Sequence, residues 1–185
     1  IAMNGDSLKN TKTWFNAYKK VLLDRSTYRR QMPGAPFFDI YNVGDYTFQP
    51  WKVIWPEMAK NFFAAVAGSA HVPVIGERVY VPDHKIYFAS FDTKQEAYFL
   101  CGLLNTPMVR EWIESHTVSI QVGNIFKHLN LPIFEDANQK HTTLSEYVEK
   151  AHFEHDKSKR STLILDIGVK GEEIINDWVK NKASN

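Results

Sequence analysis

The chain has 185 residues and a mass of 21.4 kDa, with 44% hydrophobic and 23% charged residues, which argues against disorder and is enough length to bury one sizeable core. Its longest weakly polar stretch, Phe62 to Ala70, is nine residues, against the roughly 20 that a membrane-spanning helix requires, so no membrane partner is expected. Lys+Arg 22 against Asp+Glu 21 gives a net charge of +1, which by itself does not announce a nucleic-acid partner. The start, Ile1-Ala2-Met3, lacks the charged and apolar regions of a signal peptide, and the single Cys101 cannot form an internal disulfide; a reducing, cytoplasmic setting is expected. Because the sequence does not begin with methionine, it reads as a piece of a longer protein.

In chain order, Thr13 to Gln31 places Trp14, Phe15, Tyr18, Val21, Leu22 and Tyr28 at helical spacing, with Arg25 in the same stripe and Pro33-Gly34 as the stop. Residues 1 to 31 also concentrate seven cations against Asp6 and Asp24. Such a cluster suits phosphate and equally suits a solvated helix face. From Phe37 to Phe91 short apolar and aromatic runs read as strands: Phe37 to Tyr41, Trp51 to Trp55, Phe62 to Val66, Arg78 to Val81 and Lys85 to Phe91. Pro82-Asp83-His84 is the best hairpin turn among them.

Asp92-Thr93 followed by Glu96 opens a helix with Ala97, Leu100, Cys101 and Leu104 on one face, ending at Asn105-Thr106-Pro107; a second helix, Met108 to Ser115, follows at once. Val118 to Val122 alternates as a strand, Ile125 to Leu129 suggests a helical turn, and Leu131 to Phe134 reads as a short edge strand interrupted by Pro132. Thr142 to His155 is helical, Asp156 to Ser161 reads as a charged loop, Thr162 to Ile167 fits strand or helix, and Gly171 to Lys180 is a final helix. The expected fold is α+β: a small mixed or antiparallel sheet core with packed helices and flanking N- and C-terminal helices. Residues 1–135 form its body and 136–185 a helical appendage packed on it.

Several chemistries lack their residues. There is neither a Gly-x-Gly nor a Gly-Lys-Ser/Thr loop for nucleotide phosphates, and no Gly-x-Ser-x-Gly nucleophile elbow. Cys101 on an apolar helix face is a small core residue before it is a nucleophile. His152 and His155 have the spacing for a shared metal ion but no third and fourth ligand in a familiar arrangement. No catalytic or metal-binding residue is assigned.

What stands out is aromatics beside cations in PWKVIWP (Pro50 to Pro56), RVYVP (Arg78 to Pro82) and KIYF (Lys85 to Phe88). Rings that stack on bases and cations that hold phosphates would use this pattern, as would the inward face of an ordinary sheet. PWKVIWP, then Phe62 to Val66, then VYVPDHKIYF, then EAYFLCGLLNTPMVREWIES (Glu96 to Ser115), then VGNIFKHLNLPIF (Val122 to Phe134) resembles, segment by segment, the target-recognition region of restriction-modification adenine-specific DNA methyltransferases of the Eco57I and TaqI type. Leu23 to Tyr28 resembles the arginine-bearing helix that enters that region. The resemblance covers about Arg25 to Phe134.

The resemblance implies a specificity module that binds duplex DNA beside a methylase domain of the same chain. S-adenosylmethionine is implied for the full-length parent only. The Asn/Asp-Pro-Pro-Tyr/Phe motif that holds a flipped adenine has no counterpart, since the sequence contains no Pro-Pro pair, and the glycine-rich methyl-donor loop is missing too. The fragment is therefore expected to be non-catalytic and to need no cofactor. Phosphate contacts are expected from Arg25, Arg29, Arg30, Lys52, Lys85 and Lys127, and base readout from Arg78, Gln121, Asn124 and His128. The competing reading is a module that docks a methylase, restriction or translocase subunit through Trp51 and Trp55; an enzyme with a dispersed active site has the least support.

Overall fold

The computed structural model describes residues 8–58, 60–116 and 126–184. Two compact units emerge, up to Gly44 and from Asp45 onward. The expected strands at Val118 to Val122 and the start of the turn at Ile125 lie outside the described residues.

In the first unit the expected single helix is three short ones, α1 (Lys9–Ala17), α2 (Lys19–Leu23) and α3 (Ser26–Gln31). The second break has an identifiable cause. Arg25 leaves helical geometry (φ −56°, ψ 130°), and its guanidinium donates to the carbonyls of Leu22 (2.8 Å), Phe37 (2.8 Å) and Asp39 (3.0 Å). Those last two bonds also explain why Phe37 to Tyr41 is not a strand: carbonyls that a ladder would need are taken by the arginine fork. Tyr28, the buried residue of α3, donates its hydroxyl to the Ala35 carbonyl at 2.5 Å and closes the turn after the helix.

The second unit is α+β. A short helix, α4 (Asp45–Phe48), precedes β1 (Trp51–Pro56), β2 (Ala65–Ala67), β3 (Ser69–Val72), β4 (Gly76–Val79) and β5 (Ile86–Phe91). The helices α5 (Lys94–Leu104), α6 (Pro107–His116), α7 (Gln139–Phe153) and α8 (Lys157–Ala183) follow. An antiparallel sheet has the order β2-β1-β5, with Lys52 opposite Ala67 and Ser90 and Trp55 opposite Tyr87. A separate ribbon pairs β3 with β4.

The hairpin expected at Pro82 to His84 is instead this β3–β4 ribbon, turning through Pro73, Val74 and Ile75. Val74 and Gly76 both have φ of 74°, the left-handed conformation a tight reversal requires. The sequence hid that turn because Val and Ile are strand formers. Residues 82–84 connect β4 to β5, which belong to different sheets.

Strand alternation gives the main sheet two covered faces. Val53, Trp55 and Val66 are buried and pack with α5. On the opposite face Lys52 lies buried, with the ring of Tyr46 from α4 packed 5.9 Å from that of Phe88. Helix α5 is buried nearly all round, through Ala97, Tyr98, Phe99, Cys101, Gly102, Leu103 and Leu104, as befits a central helix. Thr93 caps it, accepting from the Glu96 amide at 3.3 Å and donating to the Glu96 carboxylate at 2.7 Å.

On the other side of α5 lie α7 and α8. Gly102 permits the first crossing, since a Cβ there would come 2.8 Å from Cγ2 of Val148. The charged loop expected at Asp156 to Ser161 is in fact the start of α8, which runs unbroken through the undecided Thr162 to Ile167. Asp156 caps it by accepting from the Lys159 amide at 3.0 Å, so the polar run is a helix entry. Leu131 to Phe134 makes no ladder; it packs as an extended segment, with Phe134 5.4 Å from Phe99 and Ile133 exposed. Among the described residues no helix is long and apolar enough to cross a membrane.

Candidate nucleic-acid interface

The first unit presents Lys9, Lys12, Lys19, Lys20, Arg29 and Arg30 as exposed side chains over its three helices. None of them is paired with a carboxylate among the described residues. Several lysines of the second unit are paired: Lys85 meets Glu57 (3.0 Å), Lys94 meets Glu149 (2.9 Å), and Lys140 meets both Glu173 (2.6 Å) and Asp177 (2.7 Å). Unpaired cations spread over neighbouring helices are what a polyanion recruits, because each bound phosphate releases a counterion.

Of the six residues expected to meet phosphate, Arg29 and Arg30 stand free in the last turn of α3. Arg25 does not, because its fork is committed to three backbone carbonyls. Lys52 is a correction: it is 1% exposed, with Nζ donating to the Gln49 carbonyl at 2.7 Å and 5.9 Å above the Phe88 ring. Burial holds its ammonium below the usual lysine range. A lysine tucked under the sheet cannot neutralise a phosphate outside it. Lys85 is exposed beside Glu57, and such exposed pairs exchange partners at little cost. Lys127 is exposed.

Of the four residues expected to read bases, Arg78 lies exposed on β4 opposite Ala70, its Nη1 donating only to the neighbouring Glu77 carbonyl at 2.6 Å. His128 is exposed next to Lys127 in the segment after α6. Gln121 and Asn124 lie outside the described residues. Lys127 and His128 are thus brought together by sequence, whereas Arg78 stands on the ribbon and Lys85 on the connection into the main sheet.

The aromatic strand pattern divides in two. Trp55 is buried against Phe126 (4.5 Å between ring centroids), and Trp51 packs on the core 6.2 Å from Tyr98. Trp55 thus serves the inside of the sheet, while Trp51 is half-buried beside it. Tyr80 and Tyr87 remain exposed near the cations.

Other candidate chemistry is accounted for by structure. Burial pushes the Cys101 thiol up to about 12, partly countered by a hydrogen bond from Asn105. Asn105 also clips the chain before β2 to α5: its Nδ2 donates to the Ala64 carbonyl (2.8 Å) and its Oδ1 accepts from the Ala64 amide (3.1 Å). The Asn-Thr-Pro corner is therefore a structural joint. His152 faces the Tyr98 hydroxyl at 3.3 Å, and among the described residues no group of three His, Cys, Asp or Glu gathers as metal ligands would.

Over 106 residues, 56% of its length, the chain is 30% identical to the Type II methyltransferase M.NspV of Nostoc sp.. The likeness is to a methyltransferase. It is a partial one, because the match takes in 21% of that relative, and the chain spans well under half the relative's length. No protein-family model matches the sequence.

Two functional candidates escaped the sequence reading. Arg110 on α6 and Arg160 on α8 line one cleft although 50 positions separate them. Arg110 carried no signal beyond a helix interior, and Arg160 was absorbed into what reads as a solvated charge run. Only tertiary packing joins them.

Proposed function

We propose that this chain is the DNA-sequence-recognition part of a restriction-modification DNA methyltransferase of the adenine-N6 type, and that methyl transfer is carried out by a methylase domain outside it. The observation that carries this reading is a pairing of two facts: 30% identity to a type II methyltransferase over 106 residues, and a sequence with no Pro-Pro pair and no glycine-rich donor loop. On this reading S-adenosylmethionine binds the methylase domain, and no residue here is assigned to it.

Labour divides along the two units. On the first unit the unpaired Arg29 and Arg30, with the four lysines of α1 and α2, hold phosphates; on the second, Lys85 and Lys127 do. Arg78, an exposed arginine on the β3–β4 ribbon with a planar fork of donors, has the chemistry to pair bidentately with guanine in the major groove; Gln121, Asn124 and His128 complete the readout set. Arg25 serves as a brace, and Lys52 has no part in contact.

Fluorescence anisotropy of labelled duplex against salt concentration tests the assignment. Arg29→Ala with Arg30→Ala should weaken all duplexes alike and lower the salt slope by about two, near 0.9 per lost phosphate contact. Arg78→Ala should leave the slope nearly unchanged and relax discrimination at one base pair, at about 1–3 kcal/mol. Unchanged binding in both variants would remove the residue roles.

A further inference from the structure

A cleft of about 480 Å³ opens between the segment Ala64 to Val66 and helices α5, α6, α7 and α8. Its charged lining residues are all basic: Arg110 and Arg160, with His152 and the Tyr98 hydroxyl beside them, and no carboxylate among the described residues lines it. Apart from Asn105, the rest of the wall is largely apolar, through Val66, Val148, Ala151 and Ile167. The cleft under α8 that holds Lys140 and Lys182 differs, because Glu135 and Asp177 line it too.

Both arginines have donors to spare. Nε of Arg110 is buried and makes no hydrogen bond to any described group. Its nearest carboxylate, Glu114, stands 3.8 Å from Nη2, longer than a charge-assisted hydrogen bond, and the same Glu114 oxygen already accepts from the Phe62 amide at 2.7 Å. Arg160 donates Nε to the Glu154 carbonyl at 2.8 Å, which fixes the plane of its fork and leaves its terminal amino groups without a hydrogen-bond partner among the described residues. Around it the first turn of α8 carries Lys157 and Lys159 but no acid, so the cations sit at the end of the helix where peptide dipoles already present positive charge; Asp156 at the cap is the opposing group.

We propose that this cleft is a phosphate-ester site, in which Arg110 and Arg160 hold the phosphate and the apolar wall takes the organic part of the same molecule. Two planar forks lining one cleft suit a tetrahedral oxyanion, and a cavity of this size accommodates a mononucleotide-sized group. The phosphate has two possible sources, a free nucleotide or the backbone of bound DNA. The site uses none of the side chains of the interface proposed above and does not require it.

The test follows the Arg Nε–Hε resonances by NMR while inorganic phosphate, dAMP or deoxyadenosine is added to the intact chain, with dAMP affinity then measured in Arg110→Gln and Arg160→Gln. Phosphate and dAMP should shift the Arg110 signal, deoxyadenosine should not, and each variant should bind dAMP at least about tenfold more weakly. If a short duplex then competes with dAMP, the source is the DNA backbone; if it binds elsewhere without competing, the source is a free nucleotide. Either result upholds the site. No shift with phosphate or dAMP at millimolar concentration overturns it even if duplex binding is intact, and absence of duplex binding alone strikes only the reading of the previous section.

Discussion

Gly171 of α8 faces Thr106 at the α5–α6 corner so closely that a Cβ on the glycine would overlap Cγ2 of the threonine. The pair sets how deeply α8 seats, because Thr106 is itself fixed: its hydroxyl donates to the Leu103 carbonyl at 2.8 Å and accepts from the Val109 amide at 3.4 Å. Gly168, one turn earlier, is less crowded: a Cβ there would lie 3.3 Å from Cδ of Pro107. Gly171→Ala should therefore cost about 1–3 kcal/mol by overpacking. Thr106→Ser, which deletes Cγ2 and keeps the hydroxyl, should recover part of that loss in the double variant. Urea denaturation measures both, and an alanine variant as stable as the parent would contradict the close approach.

Lys52 gives a prediction whose sign depends on pH. Its folded pKa lies below the free value of 10.5 because burial penalises the charged form. At neutral pH the ammonium is charged in both states and the desolvation cost is fully present; stability rises as pH climbs through the window between the lowered value and 10.5. Lys52→Met should then be at least as stable as wild type at pH 7, with any advantage shrinking toward pH 10.5, and should leave duplex affinity unchanged. A loss of affinity without a loss of stability would return Lys52 to the interface.

His141 carries the acid side. It packs 4.5 Å from Phe99, its Nδ1 accepts from the Glu135 amide at 3.1 Å, and burial lowers its pKa below 6.5, with Glu135 opposing. The stabilising contribution is complete above 6.5 and is lost as pH falls through the folded value, since the unfolded chain takes up the proton first. Thermal melts from pH 7.5 to 5 should show a falling midpoint that His141→Gln flattens. Parallel pH profiles would show that the histidine is not the titrating group.

Cys101 should be inert in the native state. A buried thiol with a pKa of about 12 supplies almost no thiolate near neutrality, so iodoacetamide should modify it only on unfolding. Alkylation of the folded protein at the rate of a free thiol would refute the packing described for α5.

Much of this fold was legible in the sequence where local chemistry and tertiary structure agree. Thr93 and Glu96 mark the start of α5 by the bonds they make there, and the runs at Trp51 and Lys85 do become paired strands. Legibility failed where a distant partner decided the outcome. The fork of Arg25 reaches 12 and 14 residues ahead and breaks a helix that periodicity drew as continuous. Lys52 has the alternation of an outward strand residue, yet it is buried with its ammonium held by the Gln49 carbonyl over the Phe88 ring. At the candidate interface, composition located the cationic first unit, but only the fold shows which cations elsewhere, such as Lys85, Lys94 and Lys140, are held by carboxylates.

The central claim, that this chain chooses a DNA sequence, is tested most directly by selection from a pool of random duplexes at low ionic strength, using the protein joined to its natural flanking sequence. The account predicts enrichment of one short motif, with preference at a single position relaxed by Arg78→Ala. Recovery of the pool unchanged, with every duplex bound equally or none bound, would contradict it.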